Sequence, residues 1–170
     1  KKFKAVLKDF MLEVPQQYYK DIRGRRNAPK GQLGVSEVIG KKEKATELLK
    51  TLKEKYTNAD SKFIEVDGMS VHHRVEGLAN DSIPIVLLHG TGASLHTWDG
   101  WVNALKTTKK IIRLDLPAYG LTGPNPTSDY SQEFYATFIN DFLTKLGVKQ
   151  CIIAGNSLGG SIAWNSAVKY

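Results

Sequence analysis

The chain has 170 residues, 41% of them hydrophobic and 24% charged, with one cysteine and a net charge of +7. Length and composition fit about one ordinary globular domain. They exclude an internal disulfide, and no apolar run reaches the roughly 20 residues that span a bilayer. The charge is uneven: residues 1–60 hold 15 of the 24 basic and 8 of the 17 acidic side chains, so the whole excess lies there, while residues 61–170 hold nine of each. This break places a boundary near Asp60, between a basic, partly helical extension (1–60) and a neutral body (61–170).

Residues 1–34 show no clear period, and Arg23-Gly24-Arg25-Arg26-Asn27-Ala28-Pro29-Lys30-Gly31 reads as an exposed basic loop. The start is basic, but neither an apolar core nor a small-residue cleavage site follows, and the first residue is Lys rather than Met, which leaves room for an upstream segment. From Ser36, a plausible N-cap, to Tyr56 the pattern is helical, with Leu48, Leu49 and Leu52 as a narrow apolar stripe among lysines. After Asp60 strands appear. Phe63 to Val66, a turn at Asp67-Gly68 and Met69 to Glu76 predict a hairpin, in which Val71, His73 and Val75 alternate with polar neighbours as in a half-buried strand. Ile83 to Leu88 is a short apolar run ending at His89-Gly90, and Leu95 to Leu105 reads as helix. Ile111 to Leu114 is the next strand and ends at Asp115. Tyr130 to Leu146 is a helix with Phe134, Phe138, Phe142 and Leu146 four apart, stopped by Gly147.

The last strand, Cys151 to Ala154, runs into Gly155-Asn156-Ser157-Leu158-Gly159 and then a helix to Tyr170. A strand-to-helix bend this sharp needs small residues around its apex. It lifts the serine hydroxyl out of the sheet and aims the first helix amides at whatever that hydroxyl attacks. Strands alternating with helices predict an α/β architecture: a mostly parallel sheet covered on both faces, preceded by an antiparallel hairpin. Ligands gather at the carboxyl ends of such strands, where His89, Asp115 and Ser157 fall.

His89-Gly90-Thr91-Gly92-Ala93-Ser94, then Trp98, then Asp115-Leu116-Pro117-Ala118-Tyr119-Gly120, then Gly155-Asn156-Ser157-Leu158-Gly159-Gly160, in this order, resembles the α/β-hydrolase fold over about residue 62 onward. The resemblance is to the esterase, lipase-like and carbon–carbon bond hydrolase branch. It implies Ser157 as nucleophile and backbone N–H groups of Thr91 and Leu158 as the oxyanion hole. His89, Gly90, Gly155 and Gly159 would support them, with His89 beneath the oxyanion loop and Asp115 holding loops. Epoxide hydrolases and haloalkane dehalogenases of this family carry Asp at the nucleophile position, so Ser157 favours acyl chemistry. Ala118 stands where the family usually has Gly.

In the family's order an acidic residue and a histidine follow the nucleophile. The expectation is therefore that this chain is the N-terminal part of a larger enzyme, incomplete as a hydrolase domain and inactive alone, and that its main partner is the missing C-terminal part. His72 and His73, adjacent on a strand, face opposite sides. His96 reads as a solvated residue at a helix start, Trp98 and Trp101 as packing residues, Cys151 as a small core residue, and Tyr119 as equally fit for packing or substrate contact. No cofactor is implied, and with no paired ligands at suitable spacing a metal site is not expected.

The expected function is a serine hydrolase of carboxylic esters, thioesters or lactones, acting on a small-molecule substrate through an acyl-enzyme on Ser157. The alternatives are a carbon–carbon bond hydrolase of the same fold and a non-catalytic binding module. Without aromatic interleaving the basic extension does not suggest nucleic-acid binding; a cationic stretch at an anionic membrane surface suits it better. The expected location is cytoplasmic or membrane-associated.

Overall fold

The computed structural model describes residues 47–170. The basic loop at 23–31 and the helix start at Ser36 lie outside the described residues. The chain divides at Thr46/Glu47, and the second compact unit is Glu47–Tyr170. Residues 47–56, which the change in charge assigns to the leading segment, are helical (α1) and belong to this unit. Leu48 and Leu49 of the expected apolar stripe are exposed, and only Leu52 is half-buried. The helix holds the body instead by its C-terminal end, where Tyr56 packs near His96 (ring centroids 5.9 Å) and Lys53 stands over the Phe63 ring.

Strands β1 (Ser61–Val66) and β2 (Met69–Gly77) form the expected hairpin. Its two-residue turn needs left-handed backbone at both central positions, and Asp67 and Gly68 have φ of 50° and 77°. Strands β3 (Ile85–Leu88), β4 (Lys110–Leu114) and β5 (Ile152–Gly155) complete a five-stranded sheet of order β1-β2-β4-β3-β5. β3 runs parallel to both β4 and β5, while β2 is antiparallel to β4. The sheet is thus mixed, with a parallel half that carries the site.

One face is hydrocarbon. Helices α3 (Gln132–Lys145) and α4 (Leu158–Lys169) cover it, and Val71, Val86, Leu88, Ile112 and Leu114 of the sheet meet Phe138, Ile139, Phe142 and Ile162. Four-residue spacing stacks Phe134, Phe138 and Phe142 along α3, with centroids 6.1 and 6.4 Å apart. Ser131 caps that helix by accepting from the Phe134 amide at 3.1 Å. Burying side chains as large as Phe138 and Phe142 stabilises the fold by roughly 1.5–3 kcal/mol each.

The other face is partly ionic. A 3₁₀ turn (Leu95–Trp98) and helix α2 (Asp99–Leu105) cover a small cluster of Leu87, Trp98, Val102 and Ile111. Beside it Arg113, 2% exposed, pairs with Glu76 through Nε and Nη2 (2.7 and 2.9 Å) and with Asp99 through Nη1. β2 is therefore buried on both faces, not half-buried. The polar neighbours of its alternation, His72 and Arg74, are 0% and 5% exposed because they sit in this layer rather than in water.

The helix expected over Leu95 to Leu105 begins as 3₁₀ for a local reason. Arg113 Nη1 donates to the Leu95 carbonyl at 3.0 Å, the group an α-helix would offer to Asp99 N–H, and Asp99 N–H bonds to His96 O instead. Among the described residues no helix is long and apolar enough to cross a membrane.

Candidate active site

The bend after β5 is built from backbone constraints. Leu88 and Gly155 are register partners, and Asn156 N–H extends the ladder to Leu88 O at 3.1 Å. The chain then turns back at once into α4. Ser157 makes the turn with φ 53° and ψ −117°, a conformation that costs a residue with a Cβ about 1–3 kcal/mol. The flanking glycines have no room for more: a Cβ on Gly155 would overlap the Gly159 carbonyl, and one on Gly159 would overlap the Leu88 carbonyl. Ser157 itself is exposed, at the N-terminus of the 12-residue helix.

The loop after β3 lies against this bend. A Cβ built on Gly90 would stand 3.2 Å from Asn156 O and 3.3 Å from Ser157 Cβ, so a side chain there would push the two loops apart by a few tenths of an ångström. His89, fully buried, fixes the loop's direction. Its Nε2 accepts from Leu116 N–H at 3.0 Å, so the ring proton is on Nδ1 and is donated to Gly90 O at 2.8 Å. Burial also pushes the His89 pKa below its ordinary value, which keeps the ring neutral. Because a trans peptide holds C=O and N–H on opposite sides, anchoring the Gly90 carbonyl on His89 turns Thr91 N–H away from that ring. Neither Thr91 N–H nor Leu158 N–H has a backbone acceptor among the described residues. Gly90 is thus packed against Asn156 and Ser157, with Thr91 and Leu158 as their chain neighbours, and His89, Gly155 and Gly159 hold the backbone on either side.

No described group serves Ser157 as a base. The chain has four histidines. His89 is committed on both nitrogens. His72 bonds to Asp115 (Nδ1 to Oδ2, 2.8 Å) and Ser61 (Nε2 to Oγ, 3.0 Å), facing opposite to His73, whose Nδ1 lies 3.3 Å from Val71 O and whose ring meets Phe142 edge-on. His96 Nε2 bonds to Tyr56 O at 3.1 Å; it is half-buried rather than solvated, and burial and then Arg74 lower its pKa.

Asp115, 1% exposed, receives Leu95 N–H (2.8 Å) and Leu121 N–H (2.9 Å) as well as His72. Burial alone would raise its pKa, but these three hydrogen bonds outweigh it and hold the carboxyl below its ordinary range. Tyr119 packs edge-on against His89 at 5.5 Å. Trp98 is a core residue, whereas Trp101, edge-on to it, is 56% exposed. Cys151 is half-buried, and burial raises its thiol pKa, away from nucleophile behaviour. A shallow cleft between Leu78–Asp81 and Thr108–Lys109 lies at the other end of the sheet from Ser157.

The sequence did not point to His72, Ser61 and Arg74 as partners of Asp115 or of each other. The Asp115-ended strand and the polar positions of β2 were visible, but their pairing spans 43 residues.

The family model described as alpha/beta hydrolase fold matches residues 83–170, just over half of the chain. Human epoxide hydrolase 4 is 31% identical over 108 residues, covering 63% of this chain and 30% of that protein. The chain thus spans about 30% of the length of the curated relatives it matches. Among solved structures, Cfl2 from Burkholderia cenocepacia superposes with a TM-score of 0.61 at 26% identity, over 65% of this chain and 37% of that one. A predicted CIB-like hydrolase from Thermoplasma acidophilum gives 0.59 at 26% identity, over 65% and 56%.

Proposed function

The chain belongs to the alpha/beta hydrolase fold family, and from that premise we propose that it carries the nucleophile and oxyanion hole of a serine hydrolase acting on carboxylic esters, thioesters or lactones. The observation that carries this reading is the exposed Ser157 at a strained apex, with two unpaired amides, Thr91 and Leu158, on the adjoining backbone. Strain is retained where the surrounding structure enforces it, and such positions cluster at working sites.

In the proposed reaction Ser157 Oγ attacks the acyl carbon, its proton passing to a base, and the carbonyl oxygen becomes an oxyanion held by the Thr91 and Leu158 amides. The tetrahedral species expels the alcohol or thiol, which takes the proton back, and water then cleaves the acyl-enzyme to free the acid. One oxyanion donor is typically worth a factor of about 10²–10³ in kcat. Since all four histidines are engaged elsewhere, the reading assigns the general base and its acidic partner to polypeptide outside residues 1–170.

Relatives named epoxide hydrolases share this fold, but the nucleophile's chemistry separates the cases. A carboxylate that opens an epoxide leaves an ester, which water can cleave. A serine that opens one leaves an ether, which it cannot. Ser157 therefore supports acyl transfer over epoxide opening.

A fluorophosphonate probe on the intact protein tests the proposal. Stoichiometric labelling of Ser157 and its loss in S157A are expected, together with turnover of p-nitrophenyl esters. Epoxide turnover that survives S157A, or an adduct on another residue, would overturn it.

A further inference from the structure

The hydrogen bonds around Asp115 do not end at that residue. Asp115 accepts from Leu95 N–H, Leu121 N–H and His72 Nδ1–H. A carboxylate that accepts three donors has no proton to give, so the His72 ring carries a proton on Nδ1; the Ser61 oxygen facing Nε2 already accepts two N–H groups, which fills its lone pairs, so Nε2 meets it with a lone pair. That lone pair is met by the Ser61 hydroxyl at 3.0 Å; the other acceptor within that hydroxyl's reach, Asn58 Oδ1, is at 3.4 Å. Ser61 Oγ in turn accepts from Asn58 N–H and from Arg74 Nε–H, each at 3.1 Å. Arg74 Nη2 goes on to the Tyr56 carbonyl at 3.0 Å, the last carbonyl of α1. His96 Nε2 reaches the same carbonyl at 3.1 Å, and His96 directly follows Leu95. The bonds close a circuit: Tyr56, His96, Leu95, Asp115, His72, Ser61, Arg74 and back to Tyr56. It links α1, β1 and β2 to the start of the 3₁₀ turn, three residues beyond Gly92 in the loop that presents Thr91.

From this circuit we infer that His72 is a positioning residue of the oxyanion loop, acting through Asp115, with Ser61 fixing the ring from behind. The inference rests on the serine-hydrolase reading for its catalytic consequence, but the link to Leu95 is structural and is tested separately. His72 is fully buried and lies across strand β4 from the loop, so it touches no substrate. Its N–H toward Asp115 leaves the carboxylate in place to hold Leu95 N–H, which anchors the C-terminal end of loop 91–94. A loop held at only its His89 end would present the Thr91 amide less squarely to a developing oxyanion. The loss would appear in the chemical step, not in substrate binding.

The test uses three variants of the intact protein. H72N keeps an N–H where His72 Nδ1 stands, H72L removes it, and S61A removes the hydroxyl behind the ring. Two quantities are followed: the amide exchange rate of Leu95, and the rate of fluorophosphonate labelling and ester turnover at Ser157. For H72L, Leu95 exchange should rise about tenfold and kcat should fall about tenfold with KM changed less than twofold, a fraction of the loss from deleting an oxyanion donor. H72N should restore most of both, and S61A should show a smaller change in the same direction.

Native Leu95 exchange in H72L, or equal losses in H72N and H72L, overturns the inference. Should H72L fail to fold, H72N and S61A decide it: Leu95 exchange faster in S61A than in native and in H72N supports it, and S61A indistinguishable from native refutes it. If the native protein does not label at Ser157, the serine-hydrolase reading fails, and the exchange rates still decide whether His72 anchors the loop.

Discussion

Ser157 should be a residue that the fold would be more stable without. Its φ of 53° and ψ of −117° lie outside the regions that residues with a Cβ populate freely, at a cost of about 1–3 kcal/mol. It is exposed, and its hydroxyl has no partner among the described residues that a substitution would sacrifice. Ser157→Gly removes the Cβ and the strain, while the more flexible unfolded chain takes back about 0.5–1 kcal/mol. The net expectation is a gain of up to about 2.5 kcal/mol. Ser157→Ala keeps the Cβ and the strain, so it should lie within about 0.5 kcal/mol of native. Urea unfolding of native, S157A and S157G measures this directly: the midpoint should rise for glycine alone, with m unchanged. Each 1 kcal/mol corresponds to about 2–4 °C in Tm for a domain of 150–250 residues. If alanine stabilises as much as glycine, the relief comes from the hydroxyl and not from the backbone. If glycine destabilises, the apex is not strained, and Ser157 lacks the feature that marks it as a working position.

Three further outcomes follow from the geometry. Gly159→Ala puts a methyl against the Leu88 carbonyl and should destabilise by about 2–3 kcal/mol in urea melts; a neutral effect would mean the bend is looser than described. Glu76→Ala leaves the buried Arg113 with Asp99 as its one carboxylate among the described residues and should cost about 2–4 kcal/mol, whereas E76Q, which keeps an acceptor, should cost less. Burial lowers the pKa of His73 and His89, so the folded state binds fewer protons than the unfolded chain below about pH 6.5. The stability they confer is complete above that pH and should fall as the pH drops from about 7 toward 5, ceasing to fall once the folded-state values are passed; Asp115, with its lowered pKa, adds a further loss below about pH 4. A urea midpoint flat between pH 7 and 5 would contradict this.

The parts of the fold written in local chemistry were legible in the sequence. Asp67-Gly68 announced a two-residue turn, the phenylalanines four apart announced the buried face of α3, and Gly155 to Gly159 announced the bend. Each signal lies within one element or at its end. The ionic face was not legible, because an alternating strand reads the same whether its polar side chains meet water or each other. His72 and Arg74 therefore read as the outward half of a half-buried strand, although their partners, Asp115 and Tyr56, lie on other elements. The 3₁₀ start at Leu95 depends likewise on an arginine from a strand 18 residues away. Ala118 shows the converse: its residue type departs from the glycine the family favours, while its φ of 68° shows why glycine is favoured there.

The loop that presents Thr91 leaves β3, and the bend that presents Ser157 leaves β5. These strands are immediate neighbours in one parallel ladder. The gap between the two loops thus starts from inter-strand spacing, about 4.8 Å, and His89 and Gly90 set its detail. Exposed rim residues can therefore change without moving the two strands that carry the loops.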